Sequence, residues 1–311
     1  MSERDEIMRA FGEAGGDRGA LADANTAHLV ASGHSLLSSH SVEGLDVQAR
    51  ETADGISAMV TVRAGIKLTN AVHMCFGVLH KEGTQKIEMD VRLEKGSSAH
   101  FIAHCIFPNA EKVRHIMDAT VSLGEGAEMR YSETHYHGPS GGVEVVPKAV
   151  VTVGRGGRYF TDFTLTTGRV GKLDLDYSVE VAEDAVTELV ARVFGHGKDD
   201  IHIRDRVVLA GKNARGLIKS RVAIEDDASA EVTGITEGNA AGARGHVDCM
   251  EIVKDRAVAR AIPIVQVNDP GAKVTHEAAI GSVDKGQMET LMAHGLLPEE
   301  AVDIIVKGML R

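Results

Sequence analysis

Small or turn-forming residues recur along this chain at nearly constant intervals, and the interval limits the folds open to it. Counting from Ala127 they fall at Gly142, Gly157, Gly171, Ala185, Asp200, Ala214, Ala228, Gly242, Ala257 and Ala272, in steps of 15, 15, 14, 14, 15, 14, 14, 14, 15 and 15 residues. Between the turns apolar residues alternate, as in Ile87, Met89, Val91, Leu93 and again in Leu173, Leu175, Tyr177, Val179, Val181. Period two marks half-buried strands. A fixed short period of strand plus turn marks a β-solenoid. Two half-coils make a coil of about 29 residues, so two facing parallel sheets are expected, with coils stacked about 4.8 Å apart. No helix-length segment interrupts the strands, which argues against βαβ units. The competing architecture is a β-sandwich with evenly spaced hairpins. It needs Asn-Gly or Asp-Gly turns, and these are nearly absent from the region. The 34 Gly, 6 Pro and absence of Trp also suit many short strands and tight turns.

The pattern divides the chain in three. Residues 1–55 read as a helical and irregular appendage, polar and helical over 1–32 with a break at Gly15-Gly16. Residues 56–281 read as the all-β parallel β-helix core. Residues 282–311 read as a helical hairpin: Asp284 caps a helix carrying Met288, Leu291 and Met292, Gly295 ends it, and Pro298 begins a second. The second helix carries Ala301, Ile304, Ile305 and Met309 on one side, more apolar surface than an end cap needs, so it is a candidate partner-binding face.

The formal charge of −11 repels phosphate backbones and argues against nucleic acid as a partner. No apolar run reaches the roughly 18 residues of a membrane span. The opening MSERDEIMRAFGEAGG lacks the apolar core of a signal peptide. A cytoplasmic location is expected, with Cys75, Cys105 and Cys249 as free thiols or ligands.

Two constellations carry candidate chemistry. Cys249 and Glu277 are 28 residues apart, about one coil, which places them on neighbouring coils at nearly the same point along the strand. His276 adjoins Glu277 and points to the opposite face unless a bulge intervenes. Cys249 with one member of that pair is therefore a candidate metal or cluster site, with His246 and Asp248 close by. The bland alternative is a buried Cys beside a surface His-Glu. Cys75, Cys105 and His135 are spaced by 30 and 30 and are expected to stack as a ladder, surrounded by His73, His104, Glu133 and His137. Thiolate and imidazole so arranged suit a soft metal, but solenoids also stack similar buried residues for packing alone, and the ladder reads first as structural. The His135-Tyr136-His137 run is also a weak match to the His-x-His of cupin barrels, which leaves a metalloenzyme as an alternative. A carbohydrate-binding solenoid fits poorly with 4% aromatics. There is no P-loop, no nucleophile elbow and no Cys-x-x-Cys.

From about residue 56 onward the chain resembles the SufB/SufD family of iron–sulfur cluster assembly scaffolds. The segments HVDCMEI, AIPIVQV and THEAAIGSVDKGQMETLMAHGLLPEEAVDIIVKGML carry the resemblance. It implies a right-handed parallel β-helix and a non-enzymatic role in building a transient iron–sulfur cluster for apo-proteins. It also implies a SufC-type ABC ATPase as partner and pairing of two scaffold chains through the C-terminal coils. A Cys and a Glu implicated in one branch fall on Cys249 and Glu277, and a His implicated in the other falls on His276. The segments around Cys75, Cys105 and His135 look like those of short archaeal and anaerobe forms, which imply one scaffold type working with one ATPase type.

Overall fold

The computed structural model describes residues 3–310. A first helix, α1 (Glu3–Glu13), precedes four strands, β1 (His28–Ser32), β2 (Ser35–His40), β3 (Leu45–Glu51) and β4 (Gly55–Val62). Then follow β5 (Val72–Gly77), β6 (Glu82–Leu93), β7 (Ser98–Phe107), β8 (Lys112–Leu123), β9 (Glu128–His137) and β10 (Val143–Val153). The series continues with β11 (Arg158–Thr167), β12 (Lys172–Val181), β13 (Val186–Gly195), β14 (Asp200–Leu209) and β15 (Arg215–Ile224). It closes with β16 (Ser229–Gly238), β17 (Arg244–Val253), β18 (Val258–Val267) and β19 (Lys273–Gly281). Strands alternate between a ten-stranded sheet, ordered β19-β17-β15-β13-β11-β9-β7-β5-β1-β2, and a nine-stranded sheet, ordered β18-β16-β14-β12-β10-β8-β6-β4-β3. Among β4 to β19 the strands pair with one another in parallel, as a solenoid requires and a hairpin sandwich forbids.

Stacked residues of one kind build the interior. Val60, Val91, Val121, Val151, Val179 and Val207 are successive register partners, all buried. β-Branched side chains have few rotamers to lose on a pleated surface, and each contributes roughly 1.5–3 kcal/mol by leaving water. The corners stack as well. Gly96, Gly126, Gly156, Asp184, Asn213 and Gly242 all have positive φ, between 56° and 73°. Each donates its N–H to the next coil, for example Gly126 to Arg155 O at 2.9 Å and Asn213 to Ala241 O at 3.0 Å. The left-handed backbone explains why Gly, Asn and Asp fill these corners.

The N-terminal segment differs from expectation. The helix stops at Glu13, and residues 28–62 form β1–β4, which extend both sheets; β1 pairs parallel with β5, while β2 and β3 pair antiparallel with β1 and β4. The strand β1 is buried on both faces, because the solenoid interior lies on one side and α1 covers the other, Ile7 and Phe11 clustering with Val30 and Leu79. With no solvated face it lacks the alternation that marks a strand in sequence.

At the other end, among the described residues, no further coil covers β18 and β19. Val258, Ile264, Val265, Val267 and Ile280 are exposed there. Two helices follow, α2 (Lys285–Ala293) and α3 (Pro298–Met309). Asp284 caps α2 by accepting the Gln287 N–H at 2.7 Å, and Gly295 adopts φ 95° after it. Pro298 opens α3, where Glu300 accepts the Leu297 N–H at 2.8 Å. Among the described residues no helix is long and apolar enough to cross a membrane.

Candidate functional site

At the open end, parallel register decides which side chains meet. Val247, Asp248, Cys249 and Glu251 pair with His276, Glu277, Ala278 and Ile280 respectively. Partners in a parallel ladder point the same way. Cys249, Glu251 and His276 therefore belong to the inner face, whereas Glu277 sits on the outer face beside Asp248. The pairing of Cys249 with Glu277 expected from their spacing is thus corrected: the coil here is 29 residues, and a 28-residue step lands one position short, on the opposite face. His246 and Asp248 are also outside, His246 Nδ1 2.9 Å from Thr275 Oγ1, and Asp248 held by Arg221 at 2.9 and 2.5 Å.

Cys249 is buried directly beside Ser220 in the ladder. Burial pushes its thiol up to about 11. Two residues on, Glu251 is 1% exposed and neither carboxylate oxygen has a hydrogen-bond partner. Burial pushes this carboxyl up to about 7. Asp205, on the inner face of β14, is likewise buried, has an unpartnered Oδ1 and is pushed up to about 7 by burial and by Asp176. Unpaired buried acids are costly to fold and hence unusual. Glu251, Arg221 and Ile280 line an open groove of about 1110 Å³, whose other wall is formed by Leu291, Ile304, Ile305 and Met309 of α2 and α3. Residue spacing alone does not reveal Glu251. Its signal is the alternation Cys249-Met250-Glu251, which puts thiol and carboxylate on one face of one strand.

A second polar cluster lies deep inside the solenoid. Cys105 pairs with His135 in adjacent strands, as expected, but Cys75 does not join them. Cys75 pairs with His104 because the coil between β5 and β7 is 29 residues, not 30. It faces outward with His73 and His104 and packs under α1, where Phe11 meets His104 edge-on at 4.8 Å. Burial pushes the Cys75 thiol up to about 12.

The interior group consists of Cys105, Glu133, His135 and His137, joined by His115 from the facing sheet. All are buried. Glu133 Oε1 lies 2.7 Å from His135 Nε2 and 3.6 Å from Cys105 Sγ, and Tyr177 OH approaches Oε2 at 3.4 Å. His135 Nδ1 is 3.2 Å from His137 Nε2, and His137 Nδ1 is 2.9 Å from the Arg169 carbonyl. Burial raises the Glu133 carboxyl, but the His135 hydrogen bond and charge outweigh it and hold the group below its ordinary value. Burial holds His115 and His137 down to about 3, so both are neutral at pH 7. Burial and the neighbouring Glu133 charge push the Cys105 thiol well up. His135 and His137 lie within a parallel solenoid and out of solvent, so the cupin-like resemblance does not extend to fold or to an open active site.

Comparison with known proteins adds to this geometry. Residues 78–309 match the sequence model described as "SUF system FeS cluster assembly, SufBD core domain". An iron–sulfur cluster assembly SufBD family protein of Methanocaldococcus jannaschii is 42% identical over 268 residues, spanning 86% of this chain and 85% of the relative. One from Pyrococcus horikoshii is 34% identical over 284 residues, 91% of this chain and 86% of its own. A chloroplastic SufBD family protein of Arabidopsis thaliana is 25% identical over 228 residues, covering 70% of this chain and 41% of the relative.

Proposed function

The chain belongs to the SufBD family of the SUF iron–sulfur cluster assembly system, and from that premise we propose that it is a non-catalytic scaffold on which a cluster is built and from which it passes to apo-proteins. The observation that carries this reading is the buried Cys249 thiol with the unpartnered Glu251 carboxylate one step along the same inner face. Both lie at the uncovered end of the solenoid, and His276 is on that face of the next strand. Thiolate, carboxylate and imidazole all ligate iron. A cargo held by few thiolates leaves more readily than one held by four. Because the Cys249 thiol is protonated at neutral pH and enclosed, the terminal coils must open for iron to replace its proton.

One chain brings one thiol to this end, so a second copy is expected to complete the site. The exposed apolar residues of β18 and β19, on open sheet edges, support a homodimer through the last coils. Two-fold pairing brings two copies of Cys249, Glu251 and His276 towards each other and leaves Glu277 at the rim. A reducing cytoplasm suits three free cysteines. Anaerobic reconstitution with ferrous iron and sulfide, followed by Mössbauer spectroscopy and sedimentation, tests the reading. A dimer carrying sulfide-bridged iron is expected, and sulfide-free protein after desalting would refute it.

In this reading α3 docks a SufC-type ABC ATPase, whose nucleotide-driven movement opens the terminal coils. Ala301 and Val306 pack inward, but Ile304 is 46% exposed at the edge of the groove. Ile304→Asp is therefore expected to leave the fold intact and weaken ATPase binding by about tenfold or more, read by titration calorimetry. Unchanged affinity would place the docking surface elsewhere.

A further inference from the structure

The hydrogen-bond chain through the interior histidines leaves one place where a cation is required. The Arg169 carbonyl can only accept, so His137 Nδ1 carries the hydrogen. His137 Nε2 then faces His135 Nδ1 at 3.2 Å, and the two nitrogens share one hydrogen. At the other side of the ring, His135 Nε2 lies 2.7 Å from a carboxylate oxygen. Two acceptors at this distance repel unless a proton or a metal ion lies between them. Around the same point, Cys105 Sγ, a Glu133 oxygen and a His135 nitrogen fall within 4.8 Å of one another. His115 is 1% exposed, neither of its ring nitrogens has a partner, and its ring centroid is 6.1 Å from that of His135.

We propose that the solenoid interior holds a divalent transition-metal ion of the zinc or ferrous class, bound by Cys105 Sγ, Glu133, His135 Nε2 and His115. One thiolate, one carboxylate and two imidazoles match the borderline softness and four-coordination of such an ion. The charges close: a dication, a thiolate and a carboxylate sum to zero inside an apolar shell, which a lone buried ion does not achieve. Binding releases two protons, one from the Cys105 thiol and one from between His135 and Glu133. His137, donating to the Arg169 carbonyl and accepting from His135, orients the ligand as outer partners of metal-bound histidines do. The ion ties β7 and β9 of one sheet to β8 of the other, so it acts as an internal crosslink, separate from cluster chemistry at Cys249.

The test uses the full chain carrying Cys249→Ser, which removes the thiol of the terminal site, produced in cobalt-supplemented medium and purified anaerobically. About one cobalt per chain is expected, with the intense visible bands of a tetrahedral ion and a thiolate-to-cobalt charge-transfer band. Adding Cys105→Ser should abolish the charge-transfer band. His137→Ala should keep it while lowering metal affinity on the order of tenfold. Cobalt content no higher than in the Cys105→Ser chain, or a charge-transfer band that survives that change, overturns the proposal. Should Cys105→Ser fail to fold, His115→Gln decides: visible bands of unchanged energy and intensity would overturn it, and loss of the tetrahedral spectrum would support it. Failure here leaves the terminal-site reading untouched, because that site is disabled in every arm.

Discussion

Cys249→Ser is expected to reduce retained iron and sulfide by at least about tenfold after anaerobic reconstitution, without loss of the folded solenoid. Cys249 carries the one thiol that this chain places at the open end; the other two cysteines lie far along the coil stack, Cys75 outside under α1 and Cys105 within the interior cluster. Ser is nearly isosteric with Cys, so the packing beside Ser220 should survive. Glu251→Gln is expected to weaken retention as well, because the amide cannot take the place of an anionic ligand. Glu277→Gln should have a smaller effect, since Glu277 is on the outer face beside Asp248. Iron and sulfide are measured per chain after desalting, with circular dichroism as the folding control. If Cys75→Ser or Cys105→Ser alone abolished uptake while Cys249→Ser did not, the terminal site would be the wrong one. A large loss in Glu277→Gln with none in Glu251→Gln would move the carboxylate ligand to the outer face.

The architecture was legible in the sequence because a solenoid writes its period into its turns. Most corners carry a left-handed Gly, Asn or Asp beside a small residue, and the valine column between them repeats with the coil. The site was legible only to within one residue. Coils vary between 28 and 31 residues, as the partners Val151–Val179 and Val60–Val91 show. In a strand an error of one reverses the face. That is why Glu277 seemed to face Cys249, and why Cys75 seemed to join Cys105. His115 and Glu251 went unnoticed for another reason. Both occupy inward positions of strands whose other inward residues are apolar, Val113 and Met117 around one and Val247 and Cys249 around the other. Periodicity locates the face, but a polar residue on a core face looks like noise until the atoms around it are seen to leave it unpaired. The strands β1–β3 escaped because α1 and a tight antiparallel edge replace the regular coil there.

Asp205→Asn is expected to stabilise the metal-free protein above pH 7, by roughly 2–4 kcal/mol at pH 8, and to change little at pH 3. Asp205 lies on the inner face of β14 between Ile203 and Val207, with Oδ1 lacking a hydrogen-bond partner. Burial, assisted by the Asp176 charge, pushes its carboxyl from 3.8 up to about 7. The folded protein therefore keeps the proton while the unfolded chain loses it. Between about pH 4 and pH 7 each unit of pH lowers stability by about 1.4 kcal/mol, and above pH 7 the loss levels off because the folded form ionises too. Below the unfolded pKa both states are protonated and the penalty is absent. Asn cannot ionise, so its stability should lack this fall, although its amide still needs partners and returns part of the gain. Urea unfolding of both proteins at pH 3, 5 and 8 measures the effect. Glu251 remains in both proteins, so its own titration cancels in the difference. Curves that run parallel from pH 3 to pH 8 would mean that the Asp205 carboxylate finds a counter-charge in the folded chain. Divergence with rising pH would show that the inner face near Cys249 is held under electrostatic strain in the absence of cargo, a strain that bound cations would relieve.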